Sequence, residues 1–132
     1  MGKMIIFMLM TKTHKKTLVL GASENPSRYS YLAVNRLSSA GHPVIAIGRR
    51  VGDILGSPIQ TGMPEIKDVD TVTLYLNPQN QKSYYDYILS LNPNRIIYNP
   101  GTENPELERL SAEKGILNLE ACTLVLLSTG QY

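Results

Sequence analysis

Short apolar runs alternate with longer amphipathic stretches along most of the chain, and this alternation limits the fold more than any other feature. The runs are TLVLG (17–21), VIAIG (44–48), TVTLYL (71–76), RIIY (95–98) and ILNL (116–119). Short, continuous runs rich in leucine and β-branched residues are typical of strands that are buried on both faces. Their alternation with amphipathic segments predicts one α/β domain with about five parallel strands, right-handed crossovers and helices on both faces of the sheet.

Helix signals occupy the intervals between the runs. Gly41 is a natural stop for the first helix, and the pairs Asn77-Pro78 and Asn104-Pro105 each combine an N-cap residue with a first helical position. The residues that we expect on the buried face of the first helix are Leu32, Ala33, Arg36 (through its aliphatic stem), Leu37 and Ala40.

The segment from residue 49 to residue 66 is the least regular part of the chain. It contains three glycines and two prolines, which leave room for a short strand near Ile59 and a helical turn near Pro64. We expect no further element there.

Composition restricts the function. The formal charge of +2 arises from Lys3, Lys12, Lys15 and Lys16, since the other nine basic residues face eleven acids, and this balance argues against a nucleic-acid surface. Cys122, His14 and His42 show no metal-ligand spacing, and a single cysteine fits a reducing, cytoplasmic setting.

The first residues form a separate segment. The apolar run MIIFMLM (4–10) is much shorter than the roughly 20 residues that a membrane helix needs, so we expect no membrane association. Met10, which polar residues follow, is a second candidate start of the chain. We therefore expect residues 1–16 to be a tail and residues 17–132 to be the folded domain.

The loop after the first run resembles a nucleotide-binding turn but departs from the dinucleotide fingerprint G-x-G-x-x-G, which would have glycine at Ser23 and Pro26. Ser30 is a predicted N-cap, so amides of the first helical turn would face an anion bound at the loop. The alternative is a plain strand-to-helix connection. The candidate binding residues in this loop are Gly21, Ala22, Ser23, Asn25, Pro26, Arg28 and Ser30.

The second run ends in Gly48-Arg49-Arg50, where an NAD-binding chain would have an acidic residue for the ribose hydroxyls. Guanidinium groups favour phosphate through charge and bidentate geometry. We therefore expect a nucleotide with a phosphorylated ribose, either NADP or coenzyme A, unless the two arginines are merely solvated.

Six segments in order resemble a known family: LVLGASENPSRYSYLAVNRL, GHPVIAIGRR, DILGSPI, YLNP, NPGTENPELERLSAEKGI and EACTLVLLSTGQY. The chain is similar, over residues 16–132, to stand-alone CoA-binding proteins related to the N-terminal domain of the succinyl-CoA synthetase α subunit. The resemblance implies a Rossmann-like fold that holds CoA or a short acyl-CoA across the strand ends. It also implies that the first loop, Gly21 to Arg28 together with Ser30, lines the pyrophosphate and pantetheine region.

By the same resemblance, the second loop, Gly48-Arg49-Arg50, contacts the ribose phosphate. The loops that follow the third and fourth runs border the adenine and the pantetheine arm. The residues of those further loops are Leu76, Asn77, Pro78, Asn99, Pro100 and Gly101. Two departures matter. The second loop lacks the Asn-Pro that the family often shows, and neither His14 nor His42 matches the synthetase's catalytic histidine, which belongs to another domain.

Three hypotheses remain open from the sequence. The first is a CoA-binding module without catalytic residues, which sequesters, senses or presents CoA or a short acyl-CoA, with a protein partner or as a homo-oligomer. The second is an NADP-linked reductase or NADP sensor. The third is a scaffold that kept the fold and lost the ligand.

Overall fold

A single sheet organises the part of the chain that the computed structural model describes, residues 14–132. Of the predicted tail, residues 1–16, the part from 1 to 13 lies outside the described residues. The strand order is β3-β4-β2-β1-β5-β6-β7, and every pairing is parallel except β3 with β4. The strands are β1 (Thr17–Ala22), β2 (Val44–Gly48), β3 (Gly52–Ile54), β4 (Ser57–Gln60), β5 (Thr71–Leu74), β6 (Arg95–Tyr98) and β7 (Leu117–Glu120).

The five predicted strands are confirmed, with β2 and β6 at the predicted bounds and β5 two residues shorter. The predicted short strand near Ile59 is β4. The antiparallel strand β3 was not predicted, and the helical turn predicted near Pro64 was wrong, because residues 61–70 form no regular element. The β3–β4 hairpin is too short for an alternating pattern to show in the sequence.

The helices that cover the sheet are α1 (Tyr29–Ser39), α2 (Pro78–Gln81), α3 (Tyr85–Leu91), α4 (Pro105–Ala112) and α5 (Thr123–Ser128), with a 3₁₀ turn (Lys82–Tyr84) between α2 and α3. Asn77 and Asn104 cap α2 and α4 as predicted, since each side chain accepts a hydrogen bond from a backbone N–H three residues on.

Two predictions about α1 were wrong. Arg28 is the N-cap residue, and Ser30 lies inside the first turn with its side chain buried. The buried face is Ser30, Ala33, Val34 and Leu37, whereas Arg36 and Ala40 are exposed. The helix starts two residues earlier than a cap at Ser30 would allow, and of the predicted face Ala33 and Leu37 are buried as expected. Gly41 ends α1 as predicted, with a left-handed backbone at φ +87°.

Two apolar clusters lie on opposite faces of the sheet. On one face α1 and α5 cover Val19, Ala46 and Ile59; on the other, α3 and α4 cover Leu18, Leu20, Val72 and Ile96 in a larger cluster. Successive strand residues point to opposite faces, so each central strand supplies both cores. The doubly covered α/β fold is therefore confirmed.

Side-chain contacts also link the amino ends of the strands to the last residue of the chain. The hydroxyls of Thr17 and Tyr132 are 2.6 Å apart, and the Arg95 guanidinium lies 4.3 Å from the centre of the Tyr132 ring. The Lys15 N–H donates to His42 Nδ1 at 2.9 Å. Burial, and after it the charge of Lys15, lowers the pKa of His42. Residue 15 thus already contacts the domain; the domain boundary at residue 17 stays a prediction.

The strand order reverses between β1 and β5. The chain leaves β1 toward β2 on one side and returns through β5 on the other, so a crevice opens at the carboxyl ends of these two strands. Gly21 makes this close passage feasible: its φ is +101°, and a Cβ there would lie 2.9 Å from the Tyr75 carbonyl carbon.

Gly21→Ala should therefore lower the free energy of unfolding by about 1–3 kcal/mol for the backbone conformation, plus the cost of the clash with Tyr75. Gly101→Ala is the matched control, because Gly101 has φ +92° and nothing within 4 Å of its Cβ position. Urea denaturation of both variants measures the difference. Equal losses would show that the close approach carries no cost.

Candidate nucleotide-binding cleft

The loop after β1 is shaped by its own polar side chains. Asn25 Oδ1 accepts hydrogen bonds from the Ser27 N–H at 3.0 Å and the Ser27 hydroxyl at 2.7 Å. The Ser23 hydroxyl accepts from the Asn25 N–H at 3.1 Å. This side-chain turn, with Pro26 fixing its φ, brings the chain round from β1 into α1 without glycines. The residues that depart from the dinucleotide fingerprint therefore build a different turn.

The N-terminus of α1 faces the cleft without a side-chain cap. Arg28 occupies the N-cap position and no side chain accepts from the first-turn amides, in contrast to α2 and α4 with their asparagine caps. The N–H groups of Tyr29 and Ser30 lack intrahelical partners by position. An anion in the cleft would satisfy these donors and gain from the helix dipole.

Three arginines line the same cleft as this helix end. Arg28, Arg49 and Arg50 all line the cleft, and among the described residues none of them forms a salt bridge. Glu24 is the one carboxylate along the same wall of the cleft. The electrostatic potential in this part of the site is positive, and it suits a ligand that carries more than one phosphate.

Buried side-chain amides hold together the loop after β5 and the loop after β6. The Gln81 side chain is fully buried, and its Nε2 donates to the carbonyls of Leu76 at 2.8 Å and Thr102 at 2.9 Å. Asn104 Nδ2 donates to Gln81 Oε1 at 2.9 Å and to the Tyr85 hydroxyl at 2.8 Å. This network fixes the wall of the cleft that lies opposite the arginines.

Asn99 is buried and does not line the cleft, and its predicted place at the border of the ligand stays a prediction. Its Nδ2 donates to Thr73 Oγ1 at 2.7 Å and to the Leu74 carbonyl at 2.9 Å, while its Oδ1 accepts from the Thr123 N–H at 2.9 Å. The side chain thus bonds the end of β5 to the start of α5. Both N–H donors of the side-chain amide and its oxygen are therefore hydrogen-bonded within the fold.

The structure brings most of the predicted residues to one cleft of about 780 Å³, a volume in the usual range for small-molecule sites. The predicted residues that line it are Gly21, Ala22, Ser23, Asn25, Arg28, Ser30, Arg49, Arg50, Leu76, Asn77 and Pro100. Those that do not are Pro26, Gly48, Pro78, Asn99 and Gly101. Their part in ligand binding stays a prediction.

Several lining residues were absent from the predicted site. They are Glu24, Tyr29, Ile59, Tyr75, Asn80 and Thr102. Tyr75 directly follows β5. The others could have been found only by tracing the loops in three dimensions, because they have no distinctive residue type or spacing.

Tyr75 forms part of the cleft wall and packs against the smaller apolar cluster. Its buried hydroxyl lies near Thr73 and Thr123 and, among the described residues, makes no well-aligned hydrogen bond. Burial raises the pKa of Tyr75 to about 12. The phenol is protonated near neutral pH and is a poor general base, and Tyr75 contributes to the cleft as part of its surface.

Three other features of residues 14–132 bear on function: possible metal ligands, possible membrane spans and the cysteine. No group of three or more His, Cys, Asp or Glu side chains there could hold a metal ion. No helix in this range is long and apolar enough to cross a membrane. Cys122 is half-buried at the start of α5, outside the cleft lining.

Comparison with known proteins decides the family. A family model described as a CoA binding domain matches residues 15–128. The chain belongs to this CoA-binding domain family. Membership supports a CoA-related small molecule as the class of ligand, in agreement with the resemblance that the sequence segments showed. No curated protein matches the chain closely enough to be a relative.

Solved structures share the fold of this CoA-binding domain. One uncharacterized protein is 56% identical, with a TM-score of 0.88 over 90% of this chain and 98% of its own. A hypothetical protein from Pyrococcus horikoshii OT3 is 18% identical, with a TM-score of 0.80 over 92% of this chain and 87% of its own. A protein from Thermus thermophilus is 20% identical, with a TM-score of 0.79 over 96% of both chains. The latter two likenesses show the fold alone.

The position of Asn99 predicts a stability effect. Asn99→Ala leaves three buried partners without its amide, so the free energy of unfolding should fall by about 2–4 kcal/mol. Asn80→Ala is the control, because the Asn80 side chain lines the cleft without a hydrogen bond among the described residues, and should stay within about 0.5 kcal/mol. Chemical denaturation gives both values; a loss below about 1 kcal/mol for Asn99→Ala would contradict this role.

Proposed function

We propose that this protein is a CoA-binding module that holds CoA, or a short acyl-CoA, across the carboxyl ends of β1, β2 and β5. The observation that carries the proposal is the position of Arg28, Arg49 and Arg50 around the uncapped N-terminus of α1 in a chain of the CoA-binding domain family. In this arrangement the helix end receives the pyrophosphate. Arg49 and Arg50 receive the phosphate on the ribose.

The other wall of the cleft supports a binding role over catalysis. Its amides at Gln81, Asn99 and Asn104 are engaged in the buried network and hold the loops at fixed positions. The Tyr75 hydroxyl is protonated near neutral pH, and burial moves its pKa further from neutrality, to about 12, which makes it a poor general base. We therefore propose that the protein presents or sequesters its ligand, with any response passed to a protein partner or a second copy of the chain.

Calorimetry with CoA and 3′-dephospho-CoA tests the proposal. If Arg49 and Arg50 bind the ribose phosphate through charge-assisted hydrogen bonds, CoA should bind about 10- to 100-fold more tightly than the dephospho form. Arg49→Ala or Arg50→Ala should reduce that ratio. Arg36→Ala removes an equal charge from the exposed side of α1 and should leave the ratio unchanged.

Each other result points to a different function. Equal affinity for CoA and 3′-dephospho-CoA would rule out the phosphate-reading role of the two arginines. Tight binding of NADPH without binding of CoA would favour the NADP reductase or sensor, whose 2′-phosphate suits the same arginines. If neither nucleotide raises the melting temperature, the result favours the scaffold hypothesis over both binding hypotheses. A ligand at 100 times its Kd should add about 2.7 kcal/mol of stability.

A further inference from the structure

The segment that carries Arg49 and Arg50 is held between two glycines. Gly48 ends β2 and Gly52 begins β3, so only residues 49–51 bridge the two strands. A Cβ at Gly48 would lie 2.3 Å from the Ala22 carbonyl oxygen, and a Cβ at Gly52 would lie 2.4 Å from the Glu24 Cδ atom. One end of the arginine segment therefore lies against Ala22, the last residue of β1, and the other end lies against Glu24 in the loop that follows β1.

The two contacts differ in kind. At Gly48 the neighbour is backbone, which cannot move without shifting β1, whereas at Gly52 the neighbour is the end of the Glu24 side chain. Glu24 Oε2 also accepts a hydrogen bond from the Asp53 N–H at 3.1 Å. This bond joins the first loop to the β3–β4 hairpin. Because β3 is at the edge of the sheet, no neighbouring strand on its outer side holds it.

The charge of Glu24 makes its position in the cleft unfavourable for an anionic ligand. It lines the same cleft as three arginines, yet among the described residues it forms no salt bridge with any of them. A carboxylate beside a phosphate site weakens binding by repulsion unless its contact brings a compensating benefit. The contact that compensates is the hydrogen bond that Glu24 accepts from the Asp53 amide.

We propose that Glu24 is a positioning residue, which latches the β3–β4 hairpin and so holds Arg49 and Arg50 at the phosphate site. Gly52 leaves the space that the Glu24 side chain occupies, since only a residue without a Cβ lets the carboxylate reach the Asp53 amide. The inference rests on the proposed function for its ligand. The latch itself exists in the ligand-free protein and can be measured there.

Three variants separate position from charge. Glu24→Ala removes both the carboxylate and the bond. Glu24→Gln removes the charge and keeps an amide oxygen that can accept from Asp53. Gly52→Ala keeps the charge but places a Cβ where the carboxylate lies, and because that neighbour is a flexible side-chain end the domain should still fold.

Amide hydrogen exchange measured by NMR in the ligand-free protein tests the latch. The Asp53 amide should exchange about tenfold faster in Glu24→Ala and Gly52→Ala, as expected for the loss of one hydrogen bond to a charged acceptor, and less than that in Glu24→Gln. Unchanged exchange in Glu24→Ala would overturn the latch, whatever the protein binds.

Calorimetry then tests positioning through the ratio of the affinities for CoA and 3′-dephospho-CoA. Glu24→Ala and Gly52→Ala should lose most of this ratio, and Glu24→Gln should keep it. If Glu24→Gln loses the ratio as Glu24→Ala does, charge and not contact is decisive and the proposal fails. A ratio that rises in Glu24→Ala would show that Glu24 only repels the phosphate, which also overturns it.

The wild-type protein separates the two failures. If it does not discriminate between the two ligands, the phosphate-reading role of the arginines falls and the positioning role falls with it, while the exchange data still decide the latch. If it discriminates and the variants do so equally, the proposed function stands and the positioning role is overturned.

Discussion

The close approach of backbone to backbone at the end of β1 is the constraint on which the rest of the site depends. Gly21 lies against Tyr75 on one side, and Gly48 lies against the carbonyl of Ala22 on the other. These contacts leave no room for a Cβ, so β1, β2 and β5 end close together. The cleft is the crevice left beside this junction, where the strand order reverses.

The two walls of the cleft perform different physical tasks. One carries the helix end and the arginines, which form no salt bridge among the described residues and which, in the proposed function, attract phosphate. The opposite wall carries buried amides that are hydrogen-bonded to each other and to backbone, so it provides shape. Charge that is already neutralised would not attract a ligand, and amides left unsatisfied would cost stability. The division of tasks lets the domain be stable and still receptive.

The strand and helix order could be predicted because each central strand is buried on both faces and so appears as a continuous apolar run. The Asn-Pro caps were equally clear, since Asn77 and Asn104 act through local bonds three residues away. The buried face of α1 was not, because it depends on where the helix meets the sheet. The β3–β4 hairpin was missed because Gly52–Ile54 is too short for a period.

For the site, residue type predicted the position of the arginines and the first loop, whereas long-range bonds determined the roles of the others. Asn99 looked like a loop residue near the ligand, but its partners Thr73 and Thr123 come from elements far away in the chain. Glu24 had no signal at all, because its importance comes from Gly52 and Asp53, about thirty residues later.

A crystal structure of the complex with CoA tests the central claim most directly. The account predicts the pyrophosphate at the amides of Tyr29 and Ser30 and the 3′-phosphate within hydrogen-bond distance of Arg49 or Arg50. CoA bound at another surface, or in this cleft with its 3′-phosphate turned away from both arginines, would contradict it.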